Sequence, residues 1–406
     1  AVARPTHRHP TDGEMGNMPR HIRVDEVLPR RDQQLGGGAK LLPIPGPVDT
    51  QEGIEGGVVR VVADPAQGER RRAVRIVHHV ADHRPVQGLA DADGGVTPAL
   101  LQIHEDLADG GVGLIISSYL YVQTLGKQAL GQIGVYSDEL IPGLTDLARV
   151  VHERGGKIVG QIVHCGGQAD RRLNGGHQPV APSAVESEGY SMTPRKLSID
   201  EIQQIISDFA AAARRLKTAG FDGVQLHGAH GYLLAQFLSA LRNQRTDAYG
   251  GDLPNRARFC LEVYRAVRSA VGPDFPVMIK ISASDFIAGS SSEEDSCFLA
   301  SALAAEGIDA IEVSGGKPGS IKLGAARPDI NEPEDEAYFL PQAEAIREAA
   351  PGVPLMLVGG VRSPEVIEEI LEKGAADYFS MCRPLIREPG LPARWLRGDR
   401  QRAACI

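Results

Sequence analysis

Four polar positions near the middle of the 406-residue chain could do chemistry together: His227, His230, Tyr232 and Lys280. His227-Gly-Ala-His-Gly-Tyr232 packs two imidazoles and a phenol into six residues. Two nearby imidazoles can hold zinc or iron, but no carboxylate or third histidine at a matching position completes such a set, and the cysteines lack metal-site spacing. As hydrogen-bond donors the pair can instead clamp a carbonyl oxygen and stabilise negative charge on it. Tyr232 is then placed to give a proton to the adjacent carbon. A purely structural histidine pair in a tight loop is the remaining alternative. Lys280 would favour an electron-rich or anionic group in a bound cofactor. Gly316, Gly359-Gly360 and Cys382-Arg383 suit a phosphate, because glycine lets backbone N–H groups approach an anion and Arg383 can add a charged fork. A double glycine is equally compatible with a tight loop.

Positioning these residues requires a regular frame, and one is legible from about residue 88. Thr97-Pro98 opens a helix to Ala108, with Thr97 as cap and Pro98 at the first helical position. A buried strand follows over Val112–Tyr119, a helix over 138–154, and a strand over Lys157–His164 that carries Gln161 and His164. Ser198 and Glu201 have capping-box spacing at the head of a helix to Ala219. Strands are then expected at Phe221–His227, Pro276–Ser282, Asp309–Ser314, Pro354–Gly359 and Ala376–Met381. Helices are expected near 254–271, 293–306, 341–349 and 363–373. Short Val/Ile-rich runs, each followed by an amphipathic helix, call for a parallel sheet covered by helices. The count reaches seven strands, with an eighth missing. No GxGxxG turn supports an open doubly wound sheet. The expectation is an α/β fold, a (β/α)8 TIM barrel with an irregular, aromatic-free N-terminal segment. Function would collect at the carboxyl ends of its strands, where Gln161, His164, His227, Lys280, Ser314, Gly359 and Arg383 all fall.

Composition restricts the class. A net charge of −9 argues against a general nucleic-acid surface, and five scattered cysteines argue against a disulfide framework. No run of apolar residues is long enough to span a membrane, and the amino end lacks the apolar core of a signal peptide, so a cytoplasmic location is expected. The first aromatic residue is Tyr119, whereas six of the twelve histidines lie before residue 84. Within that opening part only Gly56–Ala63 and Arg72–Val80 look like strands. The domain reading is an atypical segment over 1–87, a barrel over 88–395 and a tail over 396–406.

The run from His227 to Ser239, followed by Asn243-Gln-Arg-Thr-Asp-Ala-Tyr-Gly-Gly251 and Asn255-Arg-Ala-Arg-Phe259, closely resembles the signature of the Old Yellow Enzyme family. Further matches are Gly111–Ile116, Gly160–His164, Val358–Ser363 and Ser380–Pro389, so the resemblance covers about 88 to 406. It implies an FMN-containing barrel that uses NADH or NADPH. By that resemblance Gln161 would contact the flavin ring and Lys280 would lie near its N1/O2 edge. Gly316, Gly359, Gly360, Cys382 and Arg383 would hold the ribityl phosphate. His227 and His230 would hold the substrate's electron-withdrawing group, and Tyr232 would protonate its α-carbon. The implied substrate is a small α,β-unsaturated carbonyl compound; a 2,4-dienoyl-CoA reductase-like role on enoyl thioesters, and a defective barrel that retains no flavin, are the alternatives. A homo-oligomer is left open.

The sequence also departs from the family. Ile76–Gln87 matches the expected first strand and Asn-Arg pair poorly, and the segment before it reads as a shifted frame, a wrong start or a divergent extension. Ser239-Ala240 stands where the family usually has Ser-Pro. Cys405 lies where larger relatives begin an iron–sulfur cysteine cluster, and by itself it cannot build one, so the chain reads as a short member or a truncated one.

Overall fold

In the computed structural model the described residues are 76–79, 89–186 and 189–405. The expectations for residues 1–75 and 80–88 lie outside them. Eight parallel strands close on themselves: β1 Ile76–His79, β2 Leu114–Ile116, β3 Lys157–Val163, β4 Gly223–Gly228, β5 Val277–Ser282, β6 Ala310–Ser314, β7 Leu355–Val358 and β8 Tyr378–Met381. Closure is made by β1, which pairs Ile76 with Phe379 of β8 on one side and Val77 with Leu114 of β2 on the other. The missing eighth strand is therefore Ile76–His79, which lies inside the possible strand Arg72–Val80 that the sequence offered outside the barrel, and the barrel sheet begins ahead of residue 88.

The covering helices are α1 Pro98–Asp109, α2 Ile141–His152, α3 Ile199–Thr218, α4 Leu253–Val271, α5 Glu293–Ala305, α6 Leu340–Ala349 and α7 Pro364–Lys373. Their starts are chemically specified. The Thr97 hydroxyl caps α1, with Pro98 just inside. Ser198 and Glu201 form the reciprocal capping box of α3, and Arg195 grips the Glu201 carboxylate with both guanidinium nitrogens. Ser292 and Asp295 repeat the box on α5. The apolar stripe of each helix packs on the outside of the barrel; Ile202, Ile205, Phe209, Ala212, Ala213 and Leu216 do so for α3. Among the described residues, no helix is long and apolar enough to cross a membrane.

Alternation along each strand turns the barrel interior into layers, because every second side chain points inward. The lowest layer is apolar: Ile116, Val159, Ala310 and Met356, with Leu114, Met278 and Tyr378 packed against them. Two residues further along β3, β5 and β6 come Gln161, Lys280 and Glu312, joined by Gln225 of β4, all four completely buried. Two residues further again come His227, Ser282 and Ser314, at the mouth. The strand register is staggered where β4 meets β5, as barrel closure requires: Gln161 faces Gln225 and Lys280 faces Glu312, while His227 faces Lys280.

Candidate active site

The polar layer is a continuous hydrogen-bonded chain. Gln161 Nε2 donates to Gln225 Oε1 at 2.7 Å, and Gln225 Nε2 donates to Glu312 Oε2 at 2.9 Å. Lys280 Nζ stands 3.7 Å from Glu312 Oε1. Burying a charge without compensation costs several kcal/mol, so the carboxylate that neutralises Lys280 is what allows an ammonium in the barrel interior. The Gln161 backbone N–H donates to Ser117 Oγ at 3.1 Å, which ties β3 to the end of β2.

Above this layer sit the two histidines. His230 has φ +57°, an unusual conformation for a residue with a side chain. It is held there from two strands: its backbone N–H donates to Ser282 Oγ at 2.9 Å, and its Nε2 lies 2.8 Å from Ser314 Oγ. The Ala229 N–H donates to His227 Nδ1 at 3.3 Å, which favours the tautomer carrying its proton on Nε2, a donor. The two imidazoles stand edge to face with centroids 5.2 Å apart, and Tyr232 stacks edge-on against His227 at 4.7 Å. Sequence reasoning grouped these three residues, and the structure places them in one cluster.

The residues that hold Tyr232 had escaped the sequence reading. Its hydroxyl donates to Gln128 Oε1 at 2.9 Å, and the hydroxyl of Tyr119 donates to the same oxygen at 3.2 Å. Gln168 holds the turn from below, its Nε2 donating to the carbonyls of His230 and Gly231 at 2.9 and 2.7 Å. Tyr119, Gln128 and Gln168 come from loops after β2 and β3, where no periodicity announces an inward residue. The one available signal was that Tyr119 is the first aromatic in the chain and ends the expected strand Val112–Tyr119. His164, at the end of β3, does something else. Its Nδ1 accepts from the Gly166 N–H and its Nε2 donates to Gln123 Oε1, pinning a loop, and burial pushes its pKa down to about 3.

A second set of residues gathers at the ends of β7 and β8. Gly360, Ser380, Met381, Cys382 and Arg383 line one pocket together with Tyr338, Arg362 and Cys405. Ser380 Oγ is buried there with no hydrogen-bond partner among the described residues. Gly360 has φ +75°, and a Cβ on it would meet the Tyr338 ring at 2.9 Å. An unsatisfied buried hydroxyl, a close-approaching glycine backbone and a guanidinium form a donor set suited to a phosphate. Gly359 adjoins this pocket, and a Cβ on it would meet Tyr338 and Phe339 at 3.2 Å. Gly316 is not part of its lining. At φ +72° it makes room for the returning chain, since a Cβ there would lie 2.5 Å from the Leu323 carbonyl oxygen. Among the described residues, no three His, Cys, Asp or Glu side chains gather as a metal site requires.

Comparison with known proteins gives this arrangement a family. Residues 74–401 match the NADH:flavin oxidoreductase / NADH oxidase family. The NADH oxidase of Thermoanaerobacter brockii is 38% identical over 313 residues, 76% of this chain and 47% of the relative. The NADPH dehydrogenase of Halalkalibacterium halodurans is 36% identical over 300 residues, 74% of this chain and 84% of the relative. The chain thus spans about half the length of the first of these relatives and most of the second. Among solved structures, a 2-naphthoyl-CoA reductase in complex with 2-naphthoyl-CoA superposes with a TM-score of 0.73 at 30% identity, covering 80% of this chain and 50% of that one. Morphinone reductase in complex with tetrahydroNAD superposes with a TM-score of 0.68 at 28% identity, covering 82% and 88%. The closed parallel barrel agrees with these matches, and the chain belongs to the NADH:flavin oxidoreductase / NADH oxidase family, the Old Yellow Enzyme family of FMN-dependent, NAD(P)H-using proteins.

Proposed function

We propose that this chain is an FMN-dependent NAD(P)H oxidoreductase that reduces the activated C=C bond of α,β-unsaturated carbonyl compounds. The observation that carries the reading is the convergence of His227, His230 and Tyr232 directly above a buried donor layer containing Gln161 and Lys280. In this reading Ser380, Gly360, Cys382 and Arg383 hold the ribityl phosphate, and Gln161 and Lys280 address the polar edge of the ring. When bound, FMN supplies two-electron chemistry, taking hydride from NAD(P)H and passing it to the substrate's β-carbon.

The protein's own part is placement and charge. His227 and His230 donate to the substrate's carbonyl oxygen, where negative charge builds as the double bond is reduced, and preorganised donors at that point lower the barrier. His230 is fixed by Ser282 and Ser314, so little reorganisation is needed. Tyr232 delivers a proton from Oη to the α-carbon. Enoyl thioesters are a second reading, favoured by the likeness to the 2-naphthoyl-CoA reductase with its thioester ligand.

The test is direct. The full chain is loaded with FMN, desalted, and its visible spectrum followed on adding NADPH or NADH and then cyclohexenone or a short enoyl thioester. A retained flavin band that bleaches with the nicotinamide and returns with the enone supports the reading. A colourless protein after loading would sink it in favour of a barrel that holds no flavin.

A further inference from the structure

Tyr119 donates to the same atom as Tyr232, Gln128 Oε1, so their two hydroxyls are no farther apart than two hydrogen bonds. The rings lie 5.6 Å apart, and Tyr119 also meets His227 edge-on at 6.2 Å. Both phenols belong to one buried cluster with Val163, Cys165 and Ala169.

The orientation of the Gln128 amide is fixed independently of the tyrosines. Gln168 must point its NH2 at the carbonyls of His230 and Gly231, so its oxygen faces Gln128, whose Nε2 donates to it at 3.4 Å. Gln128 Oε1 is then left as the acceptor for the phenols. Gln132 braces the assembly from behind: its Oε1 accepts from the Gln128 backbone N–H at 2.9 Å, and its Nε2 donates to the Tyr119 carbonyl at 3.3 Å. A ring that only filled space above His227 would not need its hydroxyl aimed at this oxygen.

We propose that Tyr119 is a second proton donor of the site, an inference that rests on the enone-reductase reading above. Hydride originating in NAD(P)H arrives at the β-carbon with its electron pair. The π pair of the C=C bond moves toward the α-carbon and the carbonyl oxygen held by His227 and His230. The α-carbon then takes a proton from a phenol: the O–H bond breaks, a C–H bond forms, and the phenolate left behind is reprotonated by solvent water. With two phenols on one acceptor, either can turn its O–H to the substrate while the other keeps the hydrogen bond to Gln128.

The experiment uses the full FMN-loaded chain and its Y119F, Y232F and Y119F/Y232F variants. Each is pre-reduced with NADPH and mixed with cyclohexenone or a short enoyl thioester, and flavin reoxidation is followed by stopped flow. General acid catalysis is worth roughly 10²–10⁴-fold. The expected result is a loss of about 10-fold or less in each single variant and the full 10²–10⁴-fold loss only in the double. FMN affinity should be unchanged in all three, which a misplaced loop would not allow. A double variant no slower than Y232F would overturn the role of Tyr119 and leave the enone-reductase reading standing. An unsubstituted protein that holds no flavin, or is reoxidised by neither substrate, would overturn both.

Discussion

Lys280→Met tests whether the barrel interior is built around the Lys280–Glu312 pair. Lys280 and Glu312 are both completely buried with 3.7 Å between Nζ and Oε1, and the other oxygen of Glu312 accepts from Gln225. Removing Lys280 takes this ion-pair partner from the buried Glu312 carboxylate, a cost of about 3–5 kcal/mol. For a domain of this size that lowers Tm by roughly 6–10 °C, at about 2 °C per kcal/mol. The double variant K280M/E312L removes both charges, and Gln225 Nε2 loses its Glu312 acceptor, which costs about 1–3 kcal/mol. The expected order of stability is therefore the unsubstituted chain, then the double, then K280M.

The assay is thermal unfolding of flavin-stripped protein, followed by circular dichroism. Stripping matters, because a loss of FMN affinity would otherwise add to the shift by mass action. A K280M protein within about 1 kcal/mol of the unsubstituted chain would refute the argument, since a broken buried pair cannot be that cheap. So would a double variant whose loss equals the sum of the two singles, because independent sites add and a charge pair does not.

Gly360→Ala places a methyl against the Tyr338 ring at a left-handed backbone position, and is expected to lose about 1–2 kcal/mol and to weaken FMN retention at least tenfold, read by fluorescence titration. Burial holds the pKa of His104 down at about 4 and that of His164 at about 3, against an ordinary value of 6.5. The unfolded chain therefore binds more protons between those limits, so stability is complete above pH 6.5 and falls on acidification, by up to about 1.4 kcal/mol per pH unit for each histidine. His104→Gln should halve that slope in urea titrations between pH 6 and 4.5; an unchanged slope would count against it. Ser198→Ala should cost about 1 kcal/mol at neutral pH. Hydrogen bonds from Arg195 and Ser198 hold the Glu201 pKa down at about 2. Its carboxylate thus stabilises the fold above its ordinary value of 4.5, and that contribution fades as pH falls toward 2, so the Ser198→Ala deficit should shrink in acid.

What was legible in the sequence depended on whether the physics is local. Thr97-Pro98 and Ser198–Glu201 read as helix starts because a cap and its partner lie within a few residues of each other, and both are present. The later seven strands read as apolar runs because a parallel strand is buried on both faces. Ile76–His79 read as part of a possible strand over Arg72–Val80 but not as a strand of the barrel: two histidines end the run, and the aromatic-free segment around it lacks the strand–helix alternation seen later in the chain. Its place in the barrel is settled by what it pairs with, Phe379 and Leu114, hundreds and tens of residues away.

The site divides along the same line. His227, His230 and Tyr232 were found because they share one turn, but the atoms that aim them were not. Gln128 is 104 residues from Tyr232, and Ser314 is 84 residues from His230. Glu312 is the instructive case. A single carboxylate inside the apolar strand Ala310–Ser314 is costly unless something answers it. Lys280 poses the same difficulty inside Val277–Ser282. Each strand contained a buried charge of opposite sign, Lys280 read only as a cofactor contact and Glu312 not read at all, and period-two alternation puts Glu312 on the face of Ser314 and Lys280 on that of Ser282. Adjacent strands in a parallel barrel bring such positions side by side, as the register of Lys280 on Glu312 does here. Pairing these two charges would have located the floor of the site before any coordinates, and with it the strand positions beside which His227 stands.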